Sequence, residues 1–274
     1  MEIILLERSD HVAHLVLNRP ERKNTFNAAM WAAVEQRIDE LSEDPPRVLV
    51  VSGNPSGGFS AGFDVNPDNP MVVQFMQALE GGDRGTVEGL IARMRTAIDR
   101  LTGLPIPVIA AITGDAYGGG AELAIRCDMR LMAAGARMCF SEVTLGLMPD
   151  WGGGVALVRL LGRARSAELI LSAEPISSGE ALSMGLVNRV CPPDQVVAEA
   201  LALARRIAAN GPLAVREALS IIRDTPDLSE AAALDVESQR AVDLIMTGEC
   251  VHGITAFLSG QAPDFPDPDK GCSK

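Results

Sequence analysis

The residues best suited to chemistry in this chain are two glutamates and the glycine-rich loops beside them. Glu122 closes the run Gly118-Gly119-Gly120-Ala121-Glu122, and Glu142 follows a short apolar segment ending at Phe140. Both sit among apolar neighbours, where an ionised carboxylate is costly unless it is paired or wetted. Two carboxyls flanking one water can divide the work of acid and base. One takes a proton from the water while the other supplies a proton to carbon, provided their pKa values are pushed apart. Backbone N–H groups at Ala61 and Gly119 each follow a predicted buried strand, and Gly119 precedes a predicted helix whose positive end favours a developing anion. Two such donors make an oxyanion hole, each worth about 2.7–4 kcal/mol to a transition state. Small residues suit both places because the ligand must approach the backbone itself.

Competing chemistries fit less well. Gly58-Phe59-Ser60-Ala61-Gly62 matches the GxSxG elbow of serine hydrolases. Ser60 is nevertheless far from the end of the preceding strand, no helix start follows it, and a triad would have to draft His252 from the far end of the chain. The triple glycine lacks the GxGxxG and GxxxxGK[ST] spacings of phosphate-binding loops. Five cysteines without a CxxC pair, and His11 and His14 on a predicted strand facing opposite sides, give no metal set.

Taken in order, Asn18-Arg19-Pro20 with Asn24, Phe59-Ser60-Ala61-Gly62-Phe63-Asp64, Gly118 to Glu122, Ser141 to Pro149, and Ser178-Gly179-Glu180-Ala181 with Gly185-Leu186-Val187 resemble the enoyl-CoA hydratase/isomerase (crotonase) superfamily. The resemblance spans residues 3 to 260. It implies a spiral of β-β-α units with a helical C-terminal trimerisation subdomain, assembled as a homotrimer or a dimer of trimers. It implies that the N–H groups of Ala61 and Gly119 bind a thioester carbonyl, and that Glu122 and Glu142 are the catalytic acid and base of an enoyl-CoA hydratase. The CoA moiety of the acyl-CoA would lie along Ala61, Gly62, Phe63 and Asp64, with Arg22 or Lys23 near its phosphates. No separate cofactor is implied, because the CoA thioester is itself the substrate. Two departures matter. Pro149-Asp150-Trp151-Gly152-Gly153 resembles the branch containing double-bond and ring-epoxide isomerases, which makes Asp150 a third candidate acid and an isomerase the alternative activity. Phe63 stands where a small residue is common, which narrows the pocket beside the thioester. A CoA-binding protein without catalysis is the more distant alternative.

The elements that must hold these groups alternate strand and helix, an α/β pattern. Residues 2–8 and 12–17 read as a hairpin, Asn27 caps a helix over 28–41, and 47–52 is a buried strand. Residues 65–83 read as irregular, with 71–79 as a possible helix, and a helix over 86–101 and a strand over 108–112 follow. Strands are expected at 128–133, 137–140 and 187–190, and helices at 155–161 and 164–171. From 195 the pattern is almost wholly helical, so residues 1–194 are read as the α/β core, 195–274 as a helical oligomerisation subdomain, and the end from Pro263 as frayed.

Composition sets the bounds. The chain has 274 residues, a net charge of −12 and three lysines, Lys23, Lys270 and Lys274, which leaves no phosphate-neutralising face for nucleic acid. Its longest apolar stretch, Leu104 to Thr113, is half the ~20 residues of a membrane span, and Glu2 and Glu7 stand where a signal peptide is basic. A cytoplasmic enzyme without membrane or nucleic-acid partners is the expectation.

Overall fold

The computed structural model describes residues 2–268. It opens with the hairpin β1 (Ile4–Ser9) and β2 (Val12–Leu17), antiparallel with Ile4 opposite Leu17. Asp10 and His11 form its turn with φ of 49° and 64°, so His11 lies off the strand on which it was expected. Helix α1 (Ala28–Glu43) starts where the Asn27 side chain accepts the Met30 N–H, and it buries Met30, Trp31, Val34, Ile38 and Leu41. Strand β3 (Val48–Gly53) is buried along its whole length, as an interior parallel strand must be.

Two helices, α2 (Pro70–Gly81) and α3 (Arg84–Thr102), lead to β4 (Val108–Ile112). The possible helix over 71–79 is thus present and slightly longer. Asn69 caps it, Pro70 stands at its first position, and the Asn69 amide donates to the Asp64 carbonyl at 2.7 Å. Next come β5 (Ala116–Tyr117), α4 (Gly119–Arg126), β6 (Met129–Ala133) and β7 (Arg137–Cys139). They are followed by α5 (Gly153–Ser172), broken at Gly162, then β8 (Ile176–Ser177), α6 (Ser178–Ser183) and β9 (Arg189–Cys191). Helices α7 (Val196–Ala208), α8 (Pro212–Asp224), α9 (Glu230–Met246) and α10 (Glu249–Ser259) complete the chain.

One sheet runs β1-β2-β3-β4-β6-β9, parallel from β2 onward, and a smaller one runs β5-β7-β8. Helix α7 lays Val196, Ala200, Ala204 and Ala208 against β2, β3, β4 and β6. That corrects the boundary after residue 194, because α7 covers a face of the main sheet and only α8 to α10 lie outside it. The tail is also better held than expected. Arg47 donates to the Phe265 carbonyl at 2.6 Å and to Asp267 at 2.8 Å, while residues 269–274 lie outside the described region.

The loop after β3 is anchored by a buried ion pair. Asp64 is 1% exposed and accepts from Arg19 at 2.6 Å, and Arg19 also donates to the Thr25 hydroxyl at 2.9 Å. Burial raises the Asp64 pKa, but hydrogen bonds from Asn66 and Arg19 outweigh it and hold the carboxyl below its ordinary range. Breaking a buried pair strands the remaining charge. Arg19→Met is expected to lower unfolding free energy by about 3–5 kcal/mol in urea titrations at neutral pH.

Candidate active site

Three short parallel segments end side by side and deliver the candidate groups. Ser60 pairs with Ala116 as a parallel bridge, secured by Phe59 N–H to the Asp115 carbonyl at 3.0 Å and Tyr117 N–H to the Ser60 carbonyl at 2.9 Å. Tyr117 in turn pairs with Cys139, and the Gly118 N–H donates to the Cys139 carbonyl at 2.9 Å. Just past these pairs come Phe63 on the first segment, Gly119 and Glu122 on the second, and Glu142 on the third, in a 3-10 turn spanning Glu142–Leu145.

Gly62 makes the first two segments meet. It has a φ of 81°, and a Cβ there would lie 2.6 Å from the Gly119 nitrogen. The Gly119 N–H is at the first position of α4, where a helix has no internal acceptor for it. The expected partner, Ala61, is corrected: its N–H donates to the Lys23 carbonyl at 3.0 Å and is not available to a ligand. The Phe63 N–H has no acceptor among the described residues. Phe26 grips the residues on either side of it, through its N–H to the Gly62 carbonyl at 2.8 Å and its carbonyl to the Asp64 N–H at 3.0 Å. Phe63 and Gly119 are therefore the two candidate donors left without an acceptor among the described residues. Nothing local separates Ala61 from Phe63, since the difference is made by a carbonyl from another part of the chain.

Glu122 is 1% exposed, and the turn before α5 wraps its carboxylate. Oε1 accepts the Asp150 N–H at 3.2 Å, and Oε2 accepts those of Trp151 at 3.0 Å and Gly153 at 2.8 Å. Both oxygens of Glu142 are buried without a hydrogen-bond partner among the described residues. Gly118 lies beside Glu142: a Cβ on it would stand in ordinary contact, 3.6 Å from Glu142 Oε1. Burial first, and the Glu142 charge second, push the Glu122 carboxyl up to about 8 against the opposing Gly153 N–H. Burial raises Glu142 as well. The two titrate as a pair. Three N–H donors favour the charge on Glu122 over Glu142. Burial also raises Asp150, whose charge acts on both glutamates.

The remaining expected site residues fall in less direct positions. Asp64, bound to Arg19 and Asn66, stabilises the loop and does not face a ligand, which corrects its expected contact with CoA. Arg22 is ion-paired with Asp68 at 2.9 Å in an exposed position, whereas the Lys23 side chain has no ionic partner among the described residues. The Phe63 ring meets Phe75 of α2 edge-on at 5.9 Å, so α2 reaches the site. Ser60 is fully buried, its hydroxyl donating to the Asn24 carbonyl at 2.8 Å and accepting the Gly62 N–H at 3.1 Å, which removes it as a nucleophile. No cluster of three metal-ligating side chains occurs among the described residues. A cleft of about 560 Å³ near Asp10, Arg47, Pro107 and Arg216 lies at the opposite, N-terminal ends of β3 and β4. The chemistry is at the carboxyl ends of the strands, as usual for α/β sheets.

The raised carboxyl makes a measurable signature. The fold binds a proton at the Glu122–Glu142 pair more tightly than the unfolded chain does, so the pair's contribution to stability is complete below about 4.5 and is lost as pH rises through about 8. Unfolding free energy measured across that window should fall with pH in the parent protein, and the slope should flatten in Glu122→Gln.

Comparison with known proteins gives the family of the chain. The family model for enoyl-CoA hydratase/isomerase matches residues 7–268. The crotonyl-CoA hydratase of Syntrophomonas wolfei is 31% identical over 96% of this chain and 98% of its own length. The 2,3-dehydroadipyl-CoA hydratase of Escherichia coli is 32% identical over 97% and 99%. Among solved structures, an enoyl-CoA hydratase from Bacillus anthracis superposes with a TM-score of 0.85 at 32% identity, covering 96% of this chain and 98% of that one. By sequence and by fold, this chain belongs to the enoyl-CoA hydratase/isomerase family.

Proposed function

We propose that this enzyme adds water reversibly across the 2,3 double bond of a trans-2-enoyl-CoA, giving a 3-hydroxyacyl-CoA. The observation that carries this reading is the pairing of two buried glutamates in different hydrogen-bonding environments beside two available backbone donors. Phe63 and Gly119 N–H groups hold the thioester oxygen as it gains negative charge. Ionised Glu122 takes a proton from water while the water oxygen bonds to C3. Protonated Glu142 delivers its proton to C2, and the enolate collapses back to the thioester. The proton then returns from Glu122 to Glu142 through the coupled pair or solvent, so atoms and charge balance. Both proton transfers use side chains of the enzyme, so the reaction as proposed calls on no resident cofactor.

Crotonyl-CoA is the first substrate to test, since it suits relatives named crotonyl-CoA hydratase and, from Clostridium acetobutylicum, short-chain-enoyl-CoA hydratase. Incubation should remove the conjugated-enoyl absorbance and add the mass of one water. Glu122→Gln and Glu142→Gln should each lower kcat by about 10²–10⁴-fold with little change in KM. Hydration at the parental rate in the double variant would refute the assignment. A second reading, isomerisation, is favoured by Asp150, a third carboxyl raised by burial beside the pair. It requires conversion of a 3-enoyl-CoA at constant mass and loss of that activity in Asp150→Asn.

We further propose that the protein assembles as a homotrimer through its helical tail. Val242, Ile245, Met246, Ile254, Phe257 and Leu258 leave much of α9 and α10 apolar and exposed. Isolated proteins rarely show an apolar surface of that extent. Light scattering should give three times 29.0 kDa or a multiple of it, and paired Phe257→Asp and Met246→Asp substitutions should shift the mass toward the monomer.

A further inference from the structure

The sequence contains two tryptophans, Trp31 and Trp151, and the fold buries both in one cluster with Phe26. Ring centroids are 4.8 Å apart for Phe26–Trp31, 5.2 Å for Phe26–Trp151 and 4.8 Å for Trp31–Trp151, the last two edge-on. Edge-to-face aromatic contacts have a preferred geometry, and a close-packed interior passes displacement from one ring to the next.

Two of these residues touch the site directly. The six-membered ring of Trp151 underlies Gly119 so closely that a Cβ there would stand 2.7 Å from three of its carbons. The Trp151 N–H donates to Glu122 Oε2 at 3.0 Å. Phe26, against the same ring, holds the peptide groups flanking Phe63 through its hydrogen bonds to Gly62 and Asp64. Trp31 backs both rings from α1. One side chain thus contacts the support of each oxyanion donor, while its own backbone holds the carboxylate.

We propose that Trp151 is a positioning residue: its ring fixes the spacing between the Phe63 and Gly119 N–H groups and Glu122. Replacing the ring leaves the backbone bond to Glu122 possible and opens space into which Gly119 and Phe26 relax. A displacement of about 1 Å in such a site costs about 10²-fold in rate. Only the kinetic consequence of this inference rests on the hydratase reading.

The test combines hydrogen exchange on the free protein with kinetics. In Trp151→Leu, amide exchange in residues 58–64 and 118–122 should accelerate by about tenfold or more, while residues 189–208 keep parental protection. Trp151→Phe, which keeps a ring, should retain most of the protection. With crotonyl-CoA, Trp151→Leu should lower kcat by about 10–100-fold with KM changed by less than about threefold, and Trp151→Phe should recover most of the loss. Ile38→Ala, a truncation in the buried face of α1 away from the cluster, should lower the melting temperature and leave kcat unchanged. Unchanged exchange in the two loops, or acceleration spread evenly over the chain, would overturn the proposal. If the parent protein hydrates no enoyl-CoA, the hydratase reading fails, and the exchange pattern still decides the role of Trp151.

Discussion

The backbone of Gly62 approaches that of Gly119 so closely that a methyl group would collide with the Gly119 nitrogen. The donors of the site belong to peptide groups, so they can converge only if two loops touch without side chains between them. The left-handed conformation at Gly62 turns the first loop into this contact, and the Ser60–Ala116 bridge sets its register. The Arg19–Asp64 pair, the Asn69 amide on the Asp64 carbonyl and the grip of Phe26 all hold the same loop from behind. Much of the polar network between β3 and α2 can be understood as preserving one backbone-to-backbone approach.

The electrostatics follow from using the backbone. The chain carries a charge of −12, and the wrapping of Glu122 draws on three peptide N–H groups with no cation among its hydrogen-bond donors. Fixed dipoles stabilise a developing anion without the reorganisation that mobile water would need. Burial raises both glutamates, which titrate as a pair. Asp150 adds further negative potential and raises both again. An arginine beside Glu122 would lower its pKa and make it a weaker base.

The helical end obeys a different constraint. Helix α7 is shielded by the sheet, whereas α9 and α10 present leucine, isoleucine, phenylalanine and methionine outward. No single described helix is long and apolar enough to cross a membrane, although the two bent at 73° approach that composition. Such a surface on the outermost helices is the kind that a second protein surface covers.

Much was legible from the sequence because it depends on local chemistry. The cap at Asn27, the helical period of α1, the buried runs of β3 and β4 and the order strand–glycines–helix around Gly119 are short-range signals, and Glu122 and Glu142 stood out as carboxyls in apolar settings. Tertiary structure decided what lies opposite each group. Lys23 engages the Ala61 N–H and leaves that of Phe63 available; Arg19 converts Asp64 from a ligand contact into a loop anchor; the sheet claims α7; and Arg47 ties down the tail. Trp151 showed its place only when its ring was found between Gly119 and Phe26. Helix caps and periodicity act over a few residues and are written in the chain, whereas the availability of a donor or the charge on a carboxyl is set by partners that only the folded register brings within hydrogen-bonding distance.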